Sequence, residues 1–525
     1  MRQPPCPKSK KLFLHNFHID SLILFVLLIE TEEIFLNLGE TMTAIRKLAR
    51  FIVGFHLSDA PDSVLNATKR CIQDTIGVAI GASLSGGIRN VIQKSLADAP
   101  VECGASLWGL LEKLSPSSAA LYNAMMAHYL ELDDVHPTSK THIGAVVVPA
   151  AWAMSEYLGA SGRELLESVI CGYEAMSRIG MGIGVAGHRN RGWHATGTAG
   201  TFGAAAACSK LLNLDEDMTV YALGMAGTQS SGLWSFLEDG ATCKILHAGT
   251  AARNGMTAAL MASAGMTGAE HILDAVDGGM FAAMSDDYDF SAVSRGLGST
   301  YEILNMETKP YPCCRSTHCA IDAALALVQS EDFSVDKIER IDIATYLVGY
   351  RQCGSTDKSK RPVTTTEAKF STPYAVACVL LYGEISEKYF SLPYLKTEKI
   401  INLCQKIKVY PDQRFTSEYP EHWGCELTAI YRDGNEHLEF IKDALGSRSN
   451  PVSDYNLRKK IMPMLTSALG EQADIILNQI SSLETLKRIP NLSSNISIAS
   501  TPFKGSAPQY SNPCSATGPA FKSNL

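Results

Sequence analysis

Four short segments of this sequence carry side chains able to move protons and hold anions. Eight of the thirteen histidines lie between His128 and His318. Glu131-Leu-Asp133-Asp134-Val-His136 is followed by His142, just ahead of an apolar helix starting near Ala145. Trp193-His194 opens an Ala/Gly-rich helix, and Lys244 and His247, spaced i, i+3, share a face on a helix. Lys309-Pro-Tyr-Pro-Cys-Cys-Arg315-Ser-Thr-His318 sets two cations and an imidazole within ten residues. Carboxylates and imidazoles gathered near helix N-termini suit proton transfer, metal ligation or simple capping. Metal ligation needs several convergent ligands, and no HxxxH or HxH spacing supplies them, so no metal is expected. Each of these residues alone is explained by an ordinary hydrogen bond; the whole set points to an anion site.

Composition narrows the ligand. The chain has 525 residues, with 46 Lys plus Arg against 54 Asp plus Glu, a formal charge of −8. Without a long basic run such a chain is a poor nucleic-acid binder, and positive charge for an anion must be gathered in a pocket. Fourteen cysteines, none in a CxxC pair, read as buried free thiols in a reducing compartment. The vicinal pair Cys313–Cys314 reads as two small residues in a packed turn. Gly182-Ile-Gly184-Val-Ala-Gly187 matches GxGxxG, but a helical pattern precedes it where a dinucleotide site requires a strand, so it is expected to be a glycine loop. No GxSxG or P-loop is present, and Ser371-Thr-Pro-Tyr374 lacks the lysine of Ser-x-x-Lys.

The elements that must position these residues are mostly helical. Pro61-Asp62 suits a first turn, and Leu65, Ile72, Ile76, Ala79 and Ile80 share one face over 61–83. Similar segments recur at 115–130, 144–158, 163–181, 195–213 and 248–266, with small residues that permit close helix contact. From Lys337 to Val348 the period changes to 2, and Arg432-Asp433-Gly434-Asn435 between two strand-like runs is a hairpin signal. With helices at 318–329 and 371–382, residues 303–445 read as an α+β domain. Helical periodicity returns over 446–490, so the α+β part is expected to be an insertion between 42–302 and 446–490. Residues 1–41 read as a dispensable extension and 491–525 as a disordered tail. Leu22–Ile29 is an uninterrupted apolar run of eight residues, short of the about 20 that span a bilayer, so no membrane association is expected.

Taken together, Glu131-Leu-Asp-Asp-Val-His136…His142, Gly192-Trp-His194-Ala-Thr-Gly, Lys244-Ile-Leu-His247-Ala-Gly…Ala-Ala-Arg253-Asn-Gly and Lys309-Pro-Tyr-Pro-Cys-Cys-Arg-Ser-Thr-His318 resemble the MmgE/PrpD family over about 45–490. This family includes 2-methylcitrate dehydratases and cis-aconitate decarboxylases. The resemblance implies a mainly α fold, a large helical domain assembled from N- and C-terminal segments carrying an α+β lid. It also implies a homodimer without metal or organic cofactor, and a site between helical domain and lid. It assigns catalysis to His142, His194, Lys244, Glu131 and Asp134, and substrate binding to Lys309, Tyr374, His247, Arg315 and His318. Glu131, Val135 and Cys314 stand where the vertebrate decarboxylase has Asp, Thr and His; the fungal decarboxylase is closer at these places, with a comparable Cys-Cys pair. The expected substrate is a di- or tricarboxylate. Dehydration of a 2-methylcitrate-like acid is the leading expectation, decarboxylation of cis-aconitate the alternative, and a non-catalytic binding protein of the same fold the third reading. A cytoplasmic location is expected, with mitochondria as the alternative.

Overall fold

The computed structural model describes residues 42–95 and 104–492. The extension expected at 1–41 and the tail from 493 onward lie outside the described residues. Leu492, at the head of that tail, is buried, and its carbonyl accepts a hydrogen bond from the Gly109 N–H at 3.2 Å.

The first part of the chain is helical. Its principal helices are α1 (Ala44–Gly54), α2 (Asp62–Ser83), α3 (Pro116–Tyr129), α4 (Gly144–Leu158), α5 (Gly162–Gly182), α6 (Ala195–Leu211), α7 (Glu216–Gly227) and α8 (Lys244–Ser263). Their starts follow local chemistry. Ser161 and Glu164 form a reciprocal capping box at α5, and the Asp215 side chain caps α7 through the Met218 N–H. Glycines then set how closely these helices pack. A Cβ on Gly255 of α8 would lie 2.4 Å from the Thr201 carbonyl of α6, and one on Gly203 would lie 3.0 Å from the Gly172 carbonyl of α5. Backbones that approach this closely hold α5, α6 and α8 at fixed spacing, which matters because α6 and α8 both carry site residues.

The lid follows. Its four-stranded sheet has the order β2-β1-β3-β4, with β1 Ile338–Thr345, β2 Ile407–Pro411, β3 Cys425–Tyr431 and β4 Glu436–Ile441. β1 runs parallel to β2 (Ile341 opposite Ile407) and antiparallel to β3 (Ile343 opposite Leu427). The β3–β4 hairpin turns at Gly434, whose φ of 85° a residue with a Cβ adopts only at a cost. Ile338, Ile341, Ile343, Leu427 and Ala429 point into an apolar layer covered by α9 (His318–Val328) and α11 (Thr372–Tyr382). A short helix, α10 (Leu347–Cys353), follows β1.

The chain then returns to the first core. Helices α12 (Asp454–Leu469) and α13 (Gln472–Ser481) join the same apolar cluster as α2, with Ile461 packed where Gly77 leaves no side chain. Lys460 of α12 pairs with buried Asp74 of α2 at 2.5 Å and donates to the Leu132 carbonyl at 2.8 Å. The molecule is therefore mainly α, a helical domain built from both ends of the described chain with a smaller α+β lid inserted. Among the described residues no single helix is long and apolar enough to cross a membrane. Helix α2 and the following Gly86–Ser95 pass such a test only together, bent by 83°.

The glycine motif at 182–187 is preceded by helix α5, and Gly184 is the N-cap of the short helix Val185–Asn190. The strand–turn–helix of a dinucleotide site is absent there. Its Gly187 N–H instead binds the Asp287 carboxylate at 2.9 Å.

Candidate active site

The site is built on the turn after α3. That helix ends at Tyr129, and Glu131 takes a φ of 56°, a left-handed conformation costing about 1 kcal/mol outside glycine. The reversal folds Asp133 back beside His128, which is in the last turn of α3. His128 Nδ1 lies 2.6 Å from Asp133 Oδ2, and His142 Nδ1 lies 3.2 Å from the same oxygen and 2.8 Å from the Asp134 carbonyl. All these partners are acceptors, so both imidazoles carry their proton on Nδ1 and leave Nε2 bare. One carboxylate thus orients two imidazoles whose ring centres are 4.8 Å apart.

His194, the N-cap residue of α6, stacks at 6.1 Å from His128, and its Nδ1 is 3.0 Å from Nδ1 of His247 on α8. Trp234 (5.2 Å) and Phe236 (6.1 Å) wall the His194 ring. The cations come from opposite sides. Lys244, the first residue of α8, pairs with the Glu131 carboxylate and lies 5.3 Å from the centre of the Phe370 ring. Lys309, entering the lid, reaches the other Glu131 oxygen at 3.3 Å, the Glu131 carbonyl at 3.2 Å and Asp133 at 3.7 Å. Lys369 of the lid donates to the Leu130 carbonyl at 2.8 Å.

Burial decides the protonation of this cluster. It holds His128 down to about 4, reinforced by the Lys244 ammonium. It lowers His142, where Lys309 adds to it against the opposing Asp133 charge, and it lowers His194 well below the usual range, with Lys244 and His247 adding to it. His247 falls to about 4 for the same two reasons, burial and Lys244. Burial opposes ionisation of the carboxylates too, but Lys244 and Lys309 keep Glu131 low, and His128, His142 and Lys309 keep Asp133 low. Burial likewise disfavours the Lys309 ammonium, yet Glu131 and Asp133 outweigh it and raise its pKa. Two carboxylates therefore balance two ammonium groups among neutral imidazoles. An arriving polyanion adds uncompensated negative charge.

The residues expected from sequence divide into two groups. His142, His194, Lys244, Lys309, His247 and Glu131 are brought together. Asp134 is turned away: its carboxylate accepts from the Gly144 N–H at the start of α4 (2.9 Å) and from the Tyr173 hydroxyl (2.9 Å). Burial and the nearby Asp74 charge push it up to about 7. Tyr374 lies in the apolar layer of the lid, its hydroxyl donating to the Tyr389 carbonyl at 2.5 Å. Arg315 pairs with Glu307 (2.9 Å), donates to the Leu445 carbonyl (3.0 Å) and lies 3.0 Å from His318 Nδ1. These three are held by partners in the lid, and the Lys309 charge adds to burial and Arg315 in lowering the His318 imidazole. The site's additional members are His128 and Asp133. The sequence offers one signal for them, an imidazole in the last helical turn five residues before a carboxylate, with no mark of the backbone reversal that joins them.

His128, Asp133 and His142 also offer one ligand atom each within 4.8 Å. The Lys309 ammonium lies 3.7 Å from the other Asp133 oxygen, so the carboxylate of this group already has a counter-charge.

A helical domain with an inserted α+β lid, holding paired lysines and oriented neutral imidazoles at their junction, defines a family architecture. The chain belongs to the MmgE/PrpD family. Residues 46–293 match the MmgE/PrpD N-terminal domain and 311–484 the C-terminal domain. It is 28% identical to the cis-aconitate decarboxylase-like protein oryM of Aspergillus oryzae, covering 86% of this chain and 96% of that protein. It is 26% identical to the cis-aconitate decarboxylase of Aspergillus terreus, covering 85% and 94%. It is 24% identical to the 2-methylcitrate dehydratase of Salmonella typhi, covering 71% and 79%. These relatives are named for lyase activities on small polycarboxylates.

Proposed function

We propose that this protein is a lyase that decarboxylates an unsaturated tricarboxylate of the cis-aconitate type. The observation that carries this reading is the cluster of imidazoles, two of them oriented through Nδ1 by Asp133, beside Lys244 and Lys309. A carboxylate one carbon removed from a double bond leaves as CO₂ when its bonding pair shifts through that double bond. The charge arrives on the carbon next to a second carboxylate, and a proton must be delivered there. This reaction needs cations to hold the retained carboxylates and one acid, but no base. Lys244 and Lys309 supply the charge. The polyanion itself raises the proton affinity of His128, His142 or His194, so the donor forms as substrate binds.

Dehydration, the leading expectation from sequence, becomes the second reading. It requires a base to take a proton from carbon as well as an acid for the leaving hydroxide, one proton-transfer role more than decarboxylation. Similarity also runs over more of the chain for the decarboxylases than for the dehydratases. The Salmonella typhi relative still keeps dehydration in view.

Incubating the purified chain with cis-aconitate and with 2-methylcitrate tests both. Release of CO₂ from the first supports decarboxylation, whereas a new alkene absorbance from the second supports dehydration. Saturable binding without either product identifies a non-catalytic member. Calorimetry near pH 6 in buffers of different ionisation enthalpy is expected to show net proton uptake on tricarboxylate binding; its absence contradicts the imidazole donor.

A further inference from the structure

Decarboxylation consumes one proton per turnover, so a buried donor has to be recharged from outside after every cycle. The three imidazoles of the candidate site differ in whether their surroundings allow this. His128 and His142 both end at Nδ1 on Asp133, a carboxylate with no exposed surface, and His128 Nε2 is buried without a partner. Each of these two rings has only its Nε2 edge left for both gaining and giving a proton. His194 is placed differently. Its Nδ1 lies 3.0 Å from Nδ1 of His247, so a proton can enter this ring at one nitrogen and leave it at the other.

One glycine holds the two rings together. The His194 N–H donates to the Gly232 carbonyl at 2.9 Å, and a Cβ on Gly232, whose φ is 124°, would lie 3.2 Å from His247 Cγ. Two Nδ1 atoms in hydrogen-bond contact share one proton, so the ring that accepts there carries its own proton on Nε2 when neutral. His194 is 2% exposed, whereas His247 is half-buried and follows Leu246, which is 43% exposed. The pair therefore leads from the buried cluster towards the surface of α8. Two cations flank it. Lys244 precedes His247 by one helical turn, and the Arg189 guanidinium lies 4.4 Å from the centre of the Trp234 ring that walls His194. Their charge opposes an extra proton on the pair until a polyanion occupies the site.

We propose that His247 is a proton relay to His194, carrying one solvent proton into the candidate active site at each turnover rather than binding a substrate carboxylate. The inference rests on the decarboxylase reading above. His247 takes a proton from water or a buffer acid on Nε2 and passes its Nδ1 proton to Nδ1 of His194, so the buried ring becomes the imidazolium. The C–C bond then breaks and CO₂ leaves. Its electron pair becomes the new double bond, and the pair of the old double bond takes the His194 Nε2 proton to form a C–H bond. One solvent proton is consumed for each CO₂ formed. Both rings end neutral, His194 protonated on Nδ1 and His247 on Nε2, and exchange with water in the emptied site restores the starting tautomers.

The test measures CO₂ release from cis-aconitate by the full chain and by His247→Gln, with increasing imidazole in the buffer at fixed pH and ionic strength. Glutamine keeps a polar group there but cannot pass a proton from one nitrogen to another. The native kcat is expected to be flat in imidazole. In His247→Gln, kcat should fall by about 10²-fold at low imidazole and climb as imidazole is added, with KM and melting temperature unchanged. Full kcat in the variant would overturn the relay. So would a raised KM at unchanged kcat, the mark of a carboxylate-binding group, or a lowered kcat that imidazole does not restore, the mark of a packing role. If His247→Gln melts early, His247→Asn is read against the same outcomes. Absence of CO₂ from the native chain refutes the decarboxylase reading itself, and the relay with it.

Discussion

Lys309 shows how a single side chain serves both fold and site. Its ammonium is buried against Glu131 and Asp133, so Lys309→Met leaves two carboxylates short of a counter-charge. Breaking such a buried pair costs about 3–5 kcal/mol. Removing one preorganised charge from a reaction centre lowers turnover about 10²- to 10³-fold. We expect both losses in Lys309→Met, read by urea denaturation and by steady-state rates. His128 gives a prediction in pH. Its folded pKa of about 4 lies below the ordinary imidazole value of 6.5, so the unfolded chain binds its proton first as the pH falls. The contribution is fully present above pH 6.5 and is lost between pH 6.5 and 4, by about 3 kcal/mol. The stability difference between the native protein and His128→Gln should shrink by that amount across this window. A difference flat in pH would mean that His128 is not held neutral.

At the scale of elements, the site depends on helices that touch backbone to backbone. Gly255 sits where α8 meets α6, and a Cβ there would meet the Thr201 carbonyl at 2.4 Å and Ala204 Cβ at 2.6 Å. Backbone cannot rotate aside as a long side chain can, so α8 must shift. Lys244 and His247 move with it, away from His194 on α6. Gly255→Val is expected to lose about 1–3 kcal/mol of stability, as other overpacked cores do. Its turnover should fall further than its melting temperature suggests, measured on protein held well below its melting point. Most helices and strands were legible from sequence. Pro61-Asp62 and the Asp433-Gly434 turn are local signals, and local signals survive folding. The reversal at Glu131 was not legible. A left-handed glutamate carries no propensity signature, and its contacts with Lys244 and Lys309 come from far along the chain.

At the scale of the whole molecule, the lid is fastened by a buried cation. Lys140, on the loop that ends at His142, lies 3.8 Å from the centre of the Trp423 ring and 4.4 Å from that of Tyr419, both in the lid. Tyr419 stacks in turn on Tyr346 at 4.7 Å. The ammonium makes no hydrogen bond, and burial lowers its proton affinity, so the aromatic faces are its main contact. Lys140→Ala is expected to loosen the lid: limited proteolysis should nick residues 412–424 sooner, and Lys140→Arg should restore protection. Equal cleavage of all three proteins would show that the clasp does not hold the lid.

The sequence alone determined the mainly helical domain, the α+β insertion and the family, because these follow from periodicity, turn residues and motif order along the chain. It also singled out His142, His194, Lys244 and Lys309, whose types and neighbours are unusual in an acidic chain. Tertiary structure alone decided which carboxylate serves them. Asp133 and Asp134 are adjacent and chemically identical, yet one orients two imidazoles and the other caps α4. The same holds for Tyr374, Arg315 and His318, whose polar groups are taken up inside the lid. A side chain's role depends on which partner reaches it first in space, and distances between residues a hundred or more positions apart are set only when the cores close.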